Sequence, residues 1–219
     1  MPNENRGAQA YFDSVPDEWD ALYAHENRGR YLVNRLLRKG LYERYRFTFE
    51  RVGDLSGQTV LDIGCGSGRY SVECAQRGAA RVVGIDFAPS MLEFARGMAG
   101  KMGVAERCEF VLGDFATHRF ERQVDVVLAL GVFDYVAEPE PFFVKIGELD
   151  PRVFVASFPK FTPVWGTQRW LRYYLIKKCP VYNYRREQLA SLCRAASFVN
   201  SLVVEGRRGL MCAAGRGPF

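Results

Sequence analysis

Nine consecutive residues, Val60-Leu-Asp-Ile-Gly-Cys-Gly-Ser-Gly68, constrain the fold of this chain more than any other stretch. The apolar run Thr59 to Ile63 stops at glycines, and Gly68 to Arg77 then reads as a helix. Strand, glycine turn and helix in that order is how an open α/β sheet builds a crevice at the carboxyl ends of its strands. Glycines at 64, 66 and 68 allow a sharp bend and a close backbone approach to a ligand. The dinucleotide pattern GxGxxG would need glycine at 69, where Arg69 stands. Asp62 precedes the first glycine by two residues, where a carboxylate repels a pyrophosphate and suits a cationic ligand such as an amino acid's ammonium group.

The rest of the chain continues that pattern. Leu32, Leu36 and Val33, Leu37, Leu41 recur at a spacing of four, so the first 55 residues read as helical. Arg81 to Ile85, Cys108 to Leu112, Val124 to Leu130 and Arg152 to Ser157 read as strands. Pro89 opens a helix that Met91, Ala95, Met98 and Met102 continue along one face. Arg186 to Ala196 reads as another helix. Strands Val199 to Val204 and Leu210 to Ala214 flank the short connector 205–209, which fits a hairpin and an antiparallel last strand. The expected architecture is one α/β domain over 1–219. Its seven-stranded, mostly parallel sheet has an antiparallel last strand and helices on both faces.

Three further signals follow the glycine loop. Asp86 ends Val82-Val-Gly-Ile-Asp86, eighteen residues after Gly68, where a carboxylate can accept from two ribose hydroxyls; it also suits a helix cap. Gly113-Asp114-Phe115 ends the third strand. There a carboxylate can accept from an adenine amino group and an aromatic ring can pack on the base, although Gly-Asp also makes ordinary turns. The fourth signal is the strand ending Leu130-Gly-Val-Phe-Asp134-Tyr135.

These four elements, in this order and spacing, resemble the class I S-adenosylmethionine-dependent methyltransferases, which use a Rossmann-like fold. The resemblance implies S-adenosylmethionine as methyl donor. It puts Asp62, Gly64, Cys65, Gly66, Ser67 and Gly68 around the methionine portion and Asp86, Phe87 and Met91 around the ribose and adenine. Asp114 and Phe115 fall to the adenine, and Leu130, Gly131 and Val132 form the wall after the fourth strand. Tyr11 and Tyr31 are expected to close over the donor. His25, Tyr23, Asp134 and Tyr135 are the polar groups expected to serve the transfer; His118 reads as a surface residue. The pattern Tyr11-Phe12…Trp19…Tyr23 and the tail from Ser157-Phe-Pro159 to Phe198 are also similar to magnesium-protoporphyrin IX methyltransferases. Where that family carries a histidine after the fourth strand, this chain has Tyr135, which leaves the broader class of small-molecule O-methyltransferases.

Composition narrows partners and setting. The net charge of +5 is uneven: residues 151–186 hold eight Lys and Arg and no Asp or Glu, leaving −3 for the remainder. The same segment holds Trp165, Trp170, Tyr173, Tyr174, Tyr182 and Tyr184. Mixed cations and aromatics suit a flat or anionic acceptor, and equally a surface helix whose rings pack inward, a membrane surface or nucleic acid. The expected layout is an N-terminal helical lid (1–50), a donor-binding core (55–156), an acceptor-side insertion (157–186) and a C-terminal helix with hairpin (187–219). The six cysteines, at 65, 74, 108, 179, 193 and 212, show no paired ligand spacing. That spacing predicts no metal site and fits reduced thiols in a cytoplasmic protein. No apolar stretch is long enough to span a bilayer, and residues 1–10 lack the apolar core of a secretory signal.

The function expected is methyl transfer to a small-molecule acceptor, most naturally an oxygen, with nucleic acid a less favoured partner. Two rivals stand beside it. One is an RNA or protein methyltransferase that uses the basic segment as a platform; the other is a donor-binding subunit without catalysis.

Overall fold

The computed structural model describes residues 39–120, 123–160, 181–207 and 209–217. Within them the order is α1 (Lys39–Val52), β1 (Thr59–Ile63), α2 (Arg69–Gln76), β2 (Arg81–Asp86), α3 (Pro89–Lys101) and a 3₁₀ turn (Ala105–Arg107). Then come β3 (Cys108–Leu112), β4 (Val126–Leu130), α4 (Glu140–Glu148), β5 (Val153–Pro159), α5 (Arg186–Ala195), β6 (Asn200–Glu205) and β7 (Gly209–Gly215). All seven strands form one sheet in the order β3-β2-β1-β4-β5-β7-β6. β7 runs antiparallel to both β5 and β6, and the remaining pairings are parallel. The expected seven-stranded, mostly parallel sheet with an antiparallel last strand is therefore the fold observed.

The sequence dictates this layering simply. Val60, Leu61 and Ile63 in β1, and Val126, Val127, Leu128 and Ala129 in β4, are all buried, so these strands are covered on both faces. One apolar cluster gathers Phe133, Phe143, Phe154, Phe158, Leu189 and Phe198 on one side of the sheet. A second gathers Phe47, Phe49, Val52, Leu55 and Cys74 on the other. Residues 39–50, at the end of the stretch read as a lid, belong to α1, which packs on β5 and β7. Gly53, at φ 64°, ends α1 in the left-handed region. Arg152 Nη2 donates to the Val52 carbonyl at 2.7 Å and satisfies one of the acceptors left open at the helix end.

Helix α4 is not among the elements the sequence reading gives. Pro139, Pro141 and Gly147 all argue against a helix there. Pro141 is tolerated because it lies in the first turn, where its missing N–H has no intrahelical partner to lose. Gly147 is required by packing: a Cβ there would collide with the Ala196 carbonyl at the end of α5. No helix among the described residues is long and apolar enough to cross a membrane.

Candidate functional site

The order of strands reverses between β1 and β4: the chain runs outward from β1 through β2 to β3, then returns to β4 on the other side. A crevice opens at such a reversal. Its floor is the glycine loop after β1 and its far wall the turn after β4.

The loop is built by its own hydrogen bonds. Gly64 N–H and Cys65 N–H both donate to the Ile85 carbonyl, at 2.8 and 3.2 Å, which ties the bend to β2. Gly68 N–H donates to the Cys65 carbonyl at 3.0 Å. Gly64, Gly66 and Gly68 have φ of 62°, 52° and 76°, a region that side chains with a Cβ rarely adopt. The three glycines then differ in what surrounds them. A Cβ on Gly64 would lie 2.5 Å from Val132 Cγ2, and one on Gly68 would lie 2.7 Å from Ala95 Cβ. These two allow close packing of the β4 turn and of α3. A Cβ on Gly66 would meet no described atom within 4 Å, so this residue faces open space on the crevice side.

Two carboxylates bracket the loop. Asp86 Oδ2 accepts from Gly66 N–H at 2.8 Å and Oδ1 accepts from Ala88 N–H at 2.9 Å. Asp86 thus ties the glycine loop to the turn before α3, whose N-cap residue is Ala88. Asp62 is buried and accepts from the Ser71 hydroxyl at 2.6 Å. Burial pushes its carboxyl up to about 7; the Ser71 hydrogen bond opposes this and the Asp86 charge adds to it.

A raised carboxyl pKa has a definite sign in stability. The folded state holds the proton more tightly than the unfolded chain does, so stability falls as pH rises from about 4 to about 7. At pH 8 an uncompensated Asp62 costs up to about 4 kcal/mol. Urea unfolding of wild type and Asp62→Asn at pH 5 and pH 8 checks this. The wild type is expected to lose stability relative to the variant on going to pH 8. An equal difference at both pH values would contradict the burial argument.

The other expected site residues fall into three groups. Leu130, Gly131 and Val132 stand at the crevice wall, with Gly131 N–H donating to Ser157 Oγ at 2.9 Å. Asp134 and Tyr135 follow on the same turn, where the Asp134 carbonyl accepts from Tyr182 N–H at 3.0 Å. Met91 is buried in the first turn of α3, just beyond Asp86 and Phe87.

A second group is held by packing or by a local turn. The Phe115 ring is only 3% exposed and packs on Phe120 and Phe142, so it is core and does not present an open face for an adenine. Asp114 Oδ1 accepts from Ala116 N–H at 2.9 Å, the local turn that Gly-Asp also predicts. The Cys65 side chain packs with Val72, Leu92 and Phe110, and burial pushes its thiol well up, so only the Cys65 backbone belongs to the loop's work. The third group, Tyr11, Tyr23, His25 and Tyr31, lies outside the described residues, as do 161–180.

Two cations missed in the sequence are placed by the fold. Lys145 Nζ on α4 donates to the carbonyls of Phe115, Ala116 and His118 at 2.6, 2.9 and 2.6 Å, pinning the loop after β3. Arg44 on α1 reaches the turn after β4. Both act across many residues of sequence, and no local spacing signals either. Among the described residues no three His, Cys, Asp or Glu side chains are grouped as a metal site.

Comparison with known proteins agrees with this geometry. Residues 54–159 match a family model described as a methyltransferase domain. Over 76 residues, 35% of this chain, it is 42% identical to the ribosomal protein L11 methyltransferase of Aeromonas hydrophila subsp. hydrophila. The corresponding figure for the Tolumonas auensis protein of the same description is 40% over 76 residues. The matched stretch spans about a quarter (25%) of the length of these relatives. Among solved structures, magnesium protoporphyrin IX methyltransferase from Synechocystis PCC 6803 with bound SAH is similar over 96% of this chain and 98% of its own, with a TM-score of 0.75 and 21% identity. The cyclase SpnF is similar over 92% of this chain and 75% of its own, with a TM-score of 0.68 and 21% identity.

Proposed function

We propose that the chain is a class I S-adenosylmethionine-dependent methyltransferase and that it transfers a methyl group to a small-molecule acceptor, at oxygen; the match of residues 54–159 to a methyltransferase domain and the shared fold support this reading. The observation that carries the donor half is the open face of Gly66 between two buried carboxylates, Asp62 and Asp86. A nucleoside sulfonium carrying an amino acid brings positive charge and vicinal hydroxyls to such a place, and both suit carboxylates. A phosphate would be repelled.

The donor supplies a methyl group already activated by the sulfonium. The protein's tasks are to hold the donor, aim an acceptor at the methyl carbon and exclude water. Asp62 meets the ammonium group and Asp86 the ribose hydroxyls, while Gly66 lets the backbone lie against the methionine chain. Asp114 is assigned to the adenine, with Phe115 behind it as support. The turn Gly131–Tyr135 lies nearest the transfer, and Asp134 and Tyr135 join Tyr23 and His25 as the groups assigned to the acceptor's proton. Tyr11 and Tyr31 are assigned to closing the donor side.

The acceptor side falls to the basic, aromatic stretch 157–186. Its described ends converge on the transfer region: Tyr184 N–H donates to the Pro159 carbonyl at 3.0 Å, and Tyr184 Oη donates to the Val136 carbonyl at 2.5 Å. An anionic or flat aromatic acceptor is the partner this reading prefers, with nucleic acid and protein set behind it. A cytoplasmic setting belongs to the same reading, since the five described cysteines are all free thiols.

Calorimetry with S-adenosylhomocysteine tests the donor assignment. Asp86→Ala is expected to weaken binding by about 1.5–3 kcal/mol, the range for hydrogen bonds to a charged group. Unchanged affinity in a folded variant would remove Asp86 from the donor site. Release of S-adenosylhomocysteine from the methyl donor across a panel of anionic and aromatic hydroxyl or carboxyl acceptors tests the transfer itself. Tight donor binding with no turnover on any acceptor would favour the non-catalytic alternative.

A further inference from the structure

The loop after β3 carries Asp114, the carboxylate assigned above to the donor's base. It is a tight turn. The Asp114 carbonyl accepts from Thr117 N–H at 3.1 Å and from His118 N–H at 2.9 Å. Asp114 Oδ1 accepts from Ala116 N–H at 2.9 Å. The amides of the turn thus point back at Asp114. The carbonyls that follow Asp114 are not taken up by a continuing helix, so they need donors from elsewhere.

Helix α4 supplies them. Lys145 Nζ donates to the carbonyls of Phe115, Ala116 and His118 at 2.6, 2.9 and 2.6 Å, three acceptors for the three protons of an ammonium group. Nζ also lies 5.0 Å from the centre of the Phe115 ring. Burial pushes the Lys145 ammonium down, and the charges of Asp114 and Glu148 push it back up, so the cation is within electrostatic reach of the Asp114 carboxylate. Phe142 stands three residues before Lys145 on the same helix face, and its ring packs on Phe115 at 5.2 Å between centres. α4 is itself fixed in the core by Phe143 and Ile146, both fully buried. One helix therefore holds the turn twice, through its aromatic ring and through its backbone, and Asp114 is the residue from which that turn starts.

We propose that Lys145 is a positioning residue for the base of the methyl donor: its grip on three carbonyls sets where the Asp114 carboxylate stands, and so how strongly the protein prefers adenine to a base without the amino group. The inference rests on the donor reading given above and on its assignment of Asp114. Lys145 touches no ligand in this account; it acts through the turn. A hydrogen bond has a working range of only about 0.5 Å, so a turn that relaxes by that much loses its hold on the base amino group. The binding energy of the rest of the donor is left nearly unchanged, because the glycine loop and Asp86 belong to other strands.

Calorimetry with two ligands tests this: S-adenosylhomocysteine and its counterpart in which purine, lacking the 6-amino group, replaces adenine. The wild type is expected to prefer S-adenosylhomocysteine tenfold or more. Lys145→Met keeps the length of the stem and loses every donor. It is expected to bind S-adenosylhomocysteine at least fivefold more weakly while its affinity for the purine counterpart stays within twofold. Lys145→Arg, which keeps charge and donors, is expected to stay within threefold of the wild type for both. Thermal melts check folding. If Lys145→Met does not fold, Lys145→Gln, with two amide protons for three carbonyls, takes its place and is expected to cut the preference threefold or more. An equal loss for both ligands, or no loss for either, would assign Lys145 a structural role and overturn the inference. A wild type without preference would remove Asp114 from the base and the inference with it, while leaving the donor reading standing. A wild type that binds neither ligand would sink the donor reading as well.

Discussion

Replacing Gly66 by valine is expected to leave a folded protein that no longer binds S-adenosylhomocysteine, with a loss of roughly a hundredfold or more in affinity, equivalent to about 2.8 kcal/mol. The reasoning rests on what each glycine of the loop faces. A Cβ on Gly66 meets no described atom within 4 Å, so the added side chain projects into the crevice and not into the core. Its φ of 52° makes a branched residue costly, by about 1–2 kcal/mol of stability. That is a fraction of what a domain of this size has to spare. Gly64→Val and Gly68→Val provide the contrast. They drive a Cβ against Val132 at 2.5 Å and Ala95 at 2.7 Å, so they are expected to fail by unfolding. The measurement is a thermal melt beside a titration for each variant. Normal affinity in folded Gly66→Val would mean that the ligand does not lie on this loop, and the donor assignment would fall with it.

The second large effect is expected in the core beneath the site. Phe133 is fully buried, stacked on Phe158 at 4.5 Å between ring centres and flanked by Phe143 at 5.5 Å. Phe133→Ala is expected to cost about 3–5 kcal/mol, the range for a large aromatic removed from a packed interior. In a chain of 219 residues that corresponds to a fall in Tm of roughly 6–20 °C. The same residue lies between Val132 and Asp134, so its loss also frees the turn that forms the crevice wall. Equilibrium urea unfolding measures the first consequence and donor titration the second. A loss below about 1 kcal/mol would show that the surrounding rings close over the gap.

How far the sequence exposed these features depends on their range. The strands were legible because a parallel sheet buried on both faces demands short apolar runs, and the glycine loop because backbone geometry restricts its residue types. The Cys193 and Cys212 side chains meet at 3.6 Å between sulfurs from α5 and β7, and no spacing rule anticipates that contact. Helix α4 was hidden by two prolines and a glycine whose tolerance depends on the first turn and on the end of α5. The inward packing of the Phe115 ring was hidden for a related reason. A residue after a strand end can turn toward the crevice or toward the core, and here Phe120 and Phe142 draw it inward. Arg44 and Lys145 were missed because each reaches a loop on a distant part of the chain.

The placement of β7 has a consequence for how the molecule is assembled. β6 has no described strand partner except β7, and β7 is wedged between it and β5. β7 is therefore the keystone of that flank, and β6, which precedes it in the sequence, must wait for it as the chain leaves the ribosome. Interrupting synthesis just before residue 209 would strip two strands from the sheet and bare the side of β5, an unpaired ribbon inviting contact with other nascent chains.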